Sequence, residues 1–216
     1  LPNLAEIMSD YFDRSEKRQI SNFAVTFTQN KSELKRQETF DHVLVSEEQH
    51  VTMTFSELSN SFWIESNHYR DNSIYKNIMI KTVEAVTQID PTIEAKRIGL
   101  RYINEFKCEN QRKISKIYGK RLASVIFKML TNPSLSRIIG VEEYNYGNQK
   151  LRLQYGIPNN FYPEIIKKYD YLLDIDSYIE LICNVAEWNE VLVDLNHTAY
   201  KKFFEEMNPL YLEEIK

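Results

Sequence analysis

Two arginines four residues apart in Lys96–Phe106 (KRIGLRYINEF) and two aspartates in Tyr171–Tyr178 (YLLDIDSY) are the strongest candidates for chemistry in this chain. A guanidinium grips a carboxylate or phosphate through paired N–H donors, and neighbouring carboxylates can hold a hard cation such as magnesium. Strand alternation puts Arg97, Gly99, Arg101, Ile103 and Glu105 on one face, with Ile98, Leu100, Tyr102, Asn104 and Phe106 on the other. The same rule puts Asp174 and Asp176 together, opposite Leu173 and Ile175. Three readings follow. If the two strands are neighbours, the arginines pair with the aspartates across the sheet as structural ion pairs, which is the leading reading. In the second, Arg97 and Arg101 form an anion site: Gly99 leaves room for a ligand, and Lys96, Lys107, Arg112, Lys113, Lys116, Lys120 and Arg121 add a basic patch. Such a run is ordinarily the solvated side of a helix. In the third, Asp174 and Asp176 join Glu142, Glu143 or Asp170 around a metal, although no metal site is assigned.

Other chemistries find less support. His42, His50, His68 and His197 form no zinc-binding spacing, and His197 falls off the apolar stripe of its helix. Neither a GxSxG elbow nor a glycine-rich phosphate loop occurs. Cys108 and Cys183 read as ordinary thiols, and no cofactor is expected. Tyr144, Tyr146 and Tyr155 could stack on bases or on a protein, but tyrosines on a half-exposed sheet are more commonly core rim.

The chain of 216 residues is 43% hydrophobic, enough to bury a sizeable core. A net charge of −4 argues against a general electrostatic nucleic-acid binder. No apolar run is long enough to span a bilayer, and the first residues lack a signal-peptide layout, so a cytoplasmic protein is expected.

The elements that must position these residues are punctuated by few breakers, with 5 Gly and 6 Pro. Leu4–Phe12 reads as a short amphipathic helix, Asn22–Gln29 as a strand, and Gln29–Glu38 as a hairpin loop. Short strands at Phe40–Val45, Val51–Phe55 and Phe62–Ser66 are joined by links that permit only antiparallel neighbours. A helix capped by Asp71 or Asn72 runs to Ile89 before Asp90-Pro91, and a second helix covers Lys113–Leu130. Tyr144 and Tyr146, the Gly147-Asn148 turn, and Leu151, Leu153 and Tyr155 make a clear hairpin. The last helix carries the stripe Trp188, Leu192, Leu195, Ala199 and Phe203. The expectation is a single α+β domain: antiparallel sheet from two loosely similar meander-plus-helix halves, about 20–107 and 113–207, with helices packed on one face.

The segments Arg97–Asn104 (RIGLRYIN), Leu172–Asp176 (LLDID) and Leu195–Phe204 together resemble a sporadically distributed prokaryotic family of uncharacterised proteins. The resemblance runs from about His42 onward and implies a defence setting, since some members lie near defence or CRISPR-associated genes. It supplies no catalytic residues. Members begin with a further strand that has a Pro-Pro-Ile-Glu-like start, and its lack here implies an N-terminal truncation. The functional expectation is a non-enzymatic interaction or scaffold protein that binds a protein partner or itself. The second reading is a nucleic-acid-binding or metal-dependent nuclease-like protein that uses the Arg97/Arg101 face.

Overall fold

The computed structural model describes residues 7–8, 11–28, 31–68, 73–108, 110–180, 183–184 and 188–214, with residues 22–28, 31–37, 112 and 183–184 described by their backbone alone. The fold is α+β, and the chain divides into two compact units, Leu1–Ile93 and Glu94–Lys216.

The first unit is an antiparallel meander in chain order: β1 (Arg14–Thr28), β2 (Lys31–Ser46), β3 (Val51–Ser56) and β4 (Ser61–Ser66). Short polar links force this order, because adjacent antiparallel strands are all that such links can reach. Helix α1 (Ser73–Ile89) lays Ile78, Thr82 and Ala85 on the sheet, where they meet Leu44, Val51, Met53 and Phe55 together with Met8 and Phe12. Most of the helix expected at Leu4–Phe12, and the Asp71/Asn72 cap, lie outside the described residues. The loop expected at Gln29–Glu38 is corrected: from Lys31 it is strand, paired continuously with β1 from Thr28↔Lys31 to Arg14↔Val45. Backbone hydrogen bonding recruits a segment that has no apolar alternation to announce it.

The second unit is built on a four-stranded antiparallel sheet. Its strands are β6 (Ile98–Cys108), β7 (Ile138–Tyr146), β8 (Gln149–Ile157) and β9 (Tyr169–Ile179), in the order β6-β9-β8-β7. A two-residue pair, β5 (Glu94–Ala95) with β10 (Cys183–Asn184), forms a separate ribbon. The β7–β8 hairpin turns at Gly147, whose φ of +78° is a conformation that a side chain disfavours. Strand β6, grouped with the first meander on sequence grounds, is hydrogen-bonded to β9 and belongs to the second unit.

One face of this sheet carries the core. Leu151, Leu153, Tyr155 and Ile157 of β8 and Tyr171, Leu173 and Ile175 of β9 pack with Ile114 and Ile117, with Leu122 and Ile126, and with Ala199. Those partners come from α2 (Ile114–Ile117), α3 (Lys120–Met129) and α4 (Trp188–Glu206); α5 (Pro209–Glu214) adds Leu212. The single helix expected over Lys113–Leu130 is broken at Tyr118-Gly119. The Gly119 N–H donates to the Glu206 carbonyl at 2.7 Å, and the Asn208 N–H donates to the Ile117 carbonyl at 2.8 Å. A Cβ at Gly119 would lie 3.3 Å from that Glu206 oxygen, a tight contact, and the bonds to the crossing chain replace the helical ladder here.

Candidate functional site

The other face of the second sheet is open, and strand alternation delivers the arginines and aspartates to it. Register places Arg101 (β6), Asp176 (β9), Arg152 (β8) and Glu143 (β7) side by side in one row. The next row is Ile103, Asp174, Gln154 and Val141. Directly opposed antiparallel residues point to the same side, so both rows share the face.

Pairing within these rows is diagonal. Arg101 donates from Nε to Asp174 Oδ1 at 2.8 Å and from Nη2 to Asp174 Oδ2 at 2.6 Å, a bidentate grip. Arg97, just ahead of β6, donates from Nη2 to Asp176 Oδ2 at 2.9 Å. Its guanidinium crosses the Tyr178 ring, 4.5 Å from the centroid. Gly99 makes that path available: a Cβ there would lie 3.1 Å from Arg97 Nη1 and 3.3 Å from Tyr178 Cβ. The glycine between the two arginines accommodates a side chain of the chain itself. The Asp174 carboxylate holds the Arg101 guanidinium above its ordinary pKa, with burial working against it.

Burial separates the two pairs. The Asp174 side chain is 6% exposed and that of Asp176 20%, while both arginines are about half exposed. Arg101, Arg152, Gln154, Asp174 and Asp176 line a shallow hollow. Arg152 is exposed and has no ion-pair or hydrogen-bond partner among the described residues. Apolar side chains flank the charges: Ile103 is 57% exposed on β6, and Ile139 and Val141 are each 46% exposed on β7.

The remaining basic residues do not form one surface with this face. Lys107 has the open-face phase on β6 and Lys96 is exposed in the link ahead of that strand, while Lys116 and Lys120 are exposed on helices and Lys113 is half-buried. The Arg112 side chain lies outside the described ones. Arg121 is turned to the helix side of the sheet, where it donates to Glu142 Oε1 at 2.6 Å and to both carboxylate oxygens of Glu206 at 2.6 and 3.1 Å. Lys202 Nζ reaches Glu206 at 2.8 Å and lies 4.1 Å from the Tyr144 ring centroid. Tyr155 donates to Glu142 at 3.0 Å, and Tyr144 donates to the other oxygen of the same carboxylate.

Burial raises the pKa of the Glu142 carboxyl, but the bonds from Arg121, Tyr144 and Tyr155 outweigh it and hold the group below the ordinary carboxylate range. Burial likewise opposes the Lys202 ammonium, and Glu206 and Tyr144 overcome it, so the net shift is upward. This network escaped the sequence reading, although a signal existed. Lys202 and Glu206 continue the buried spacing of Leu195 and Ala199 along α4, and charges at core positions imply partners.

Glu142 therefore sits on the opposite side of the sheet from Asp174 and Asp176, and the carboxylates considered for a metal are not gathered. Among the described residues no group of three or more His, Cys, Asp or Glu is placed to hold a metal ion. Among the same residues no helix is long and apolar enough to cross a membrane. No family model, curated protein or solved structure matches the chain.

Proposed function

We propose that the chain is a non-enzymatic, cytoplasmic interaction protein that receives a protein partner on the open face of its second sheet. The observation that carries this reading is the composition of the face: Arg101, Asp176, Arg152 and Glu143 alternate in sign along one row, and Ile103, Val141 and Ile139 stand exposed beside them. Local neutralisation with apolar flanks suits a protein surface, which offers both carboxylates and apolar side chains. A polyanion would instead meet Asp174 and Asp176 on β9, one of the two central strands, where single-strand binders present cations and stacking aromatics. A prokaryotic defence setting enters the proposal through the family resemblance alone.

The test compares the tagged full chain with an Ile103→Asp/Val141→Asp variant, both recovered from source cells. The expected outcome is a protein retained by the wild type, lost by the variant, and bound directly when both components are purified. Identical recoveries by the two would sink the reading. A salt titration on labelled single-stranded RNA decides the second reading: no salt-dependent binding is expected. Binding that steepens at low salt and is flattened by Arg101→Ala would overturn the protein-partner assignment in favour of nucleic acid.

A further inference from the structure

Across its four strands, the open face carries a charge pattern that inverts on reversal. From β6 to β7 the first row runs Arg101, Asp176, Arg152, Glu143, that is plus, minus, plus, minus. Reversed, it runs minus, plus, minus, plus. Rotation by 180° about an axis parallel to the strands, lying between β9 and β8, reverses a row while keeping each row at its own height. A second copy brought face to face by that rotation would set its Glu143 against Arg101 and its Arg152 against Asp176, with both contacts repeated by symmetry. In the neighbouring row, Ile103 would meet Val141 of the second copy, while Asp174 stays covered by Arg101 of its own copy. One row further, Glu105 and Leu172 face the positions of Ile139 and Gly156. Two sheets stacked with nearly aligned strands are an established packing mode, about 10 Å apart, a span that Arg and Glu side chains bridge.

From this pattern we infer that the partner of the open face is a second copy of this chain, joined in a two-fold symmetric sheet-on-sheet dimer. The inference rests on the reading of that face as a protein-binding surface. An isologous contact requires a self-complementary patch, and four strands with alternating charge meet that requirement where a single-sign face would not. The pairs already present within one copy leave room for it. Arg101 uses Nε and Nη2 on Asp174, and Arg97 reaches only one oxygen of Asp176. Arg152 has no partner among the described residues of its own copy. The footprint, four strands at about 4.8 Å by about eight residues at about 3.3 Å, is about 500 Å² in projection. That area sits at the low end for specific association and fits a dimer that forms in the micromolar range.

Sedimentation velocity of the full chain across a concentration series tests this. The wild type is expected to shift from monomer to dimer. Glu143→Arg sets one guanidinium against another, that of Arg101, twice per dimer and should weaken association by at least about 100-fold. Arg101→Glu, checked for folding by its thermal melt, should do the same through Glu143. An equimolar mixture of the two variants restores opposite charges at both contacts and should regain the dimer. A wild type that stays monomeric, or a Glu143→Arg chain that dimerises like the wild type, overturns the inference. If Arg101→Glu does not fold, Glu143→Arg alone decides, because Glu143 is exposed at the β7 edge. A monomeric wild type that still captures a different protein through Ile103 and Val141 overturns the self-pairing while leaving the interaction face standing. Failure in both assays removes both.

Discussion

Arg101 lies directly opposite Asp176 in the β6–β9 register, yet its guanidinium sits on Asp174, with contacts of 2.8 and 2.6 Å. Asp176 is left to Arg97, which reaches it over Gly99 and Tyr178. The consequence is an asymmetry between two pairs that look equivalent in sequence. Removing Arg101 strands a carboxylate that is 6% exposed, whereas removing Arg97 strands one that is 20% exposed. Arg101→Ala is expected to cost about 2 kcal/mol and Arg97→Ala about 1 kcal/mol or less. Urea unfolding of the two variants checks the order, and an equal or reversed cost would contradict the diagonal assignment.

The charge network on the helix side predicts a sharper contrast between adjacent residues. Glu206 is 3% exposed and joins Arg121 to Lys202, while Glu205 is 49% exposed and stands 3.7 Å from Lys202. Glu206→Ala leaves a buried ammonium without its main partner and should cost about 3 kcal/mol; Glu205→Ala should cost about 0.5 kcal/mol or less. The denaturant midpoints of the pair decide it.

Acid should act through Glu142. Its folded-state pKa lies below its unfolded value because the bonds from Arg121, Tyr144 and Tyr155 outweigh the penalty of burial. A depressed carboxyl contributes stability above its unfolded pKa, near about 4.3, and that contribution is lost as pH falls through the folded value. Melting temperature measured from neutral pH down into the acid range should therefore drop less steeply for Glu142→Gln than for the wild type. Parallel acid limbs would show that Glu142 plays no such part.

Two glycines make a graded pair. Gly156 has φ +135°, and a Cβ there would lie 2.3 Å from the Ile138 carbonyl oxygen, a backbone atom that cannot swing away. Gly147 has φ +78° with open space around it. Gly147→Ala should cost about 1 kcal/mol through backbone strain alone. Gly156→Ala adds the clash and should exceed about 3 kcal/mol or abolish folding. Thermal melts of the two variants rank them, and a Gly156→Ala protein as stable as Gly147→Ala would refute the geometry.

Much of the local structure is legible without coordinates. Alternation along Arg97–Phe106 assigns both faces of β6, and the Gly147-Asn148 turn places the β7–β8 hairpin. The shared phase of Asp174 and Asp176 follows from the two-residue repeat of a strand. These features depend on neighbours a few positions apart, and that is the range over which side-chain periodicity speaks. What alternation cannot encode is which distant strand lies alongside, and at what offset. The order β6-β9-β8-β7 turns Arg101, Asp176, Arg152 and Glu143 into a row, and the twist and reach of the side chains move Arg101 onto Asp174. Closure of the chain on itself breaks the helix at Gly119, because the backbone there bonds to the crossing segment at Glu206 and Asn208 in place of its own helical ladder. The same closure gathers Arg121, Glu142, Lys202 and Glu206, four charges spread over three elements whose attraction strengthens as packing draws Lys202 and Glu206 out of water. Residue order along the chain settles which side chains share a face; folding settles which charges meet, because register and burial are set by contacts between segments far apart in the chain.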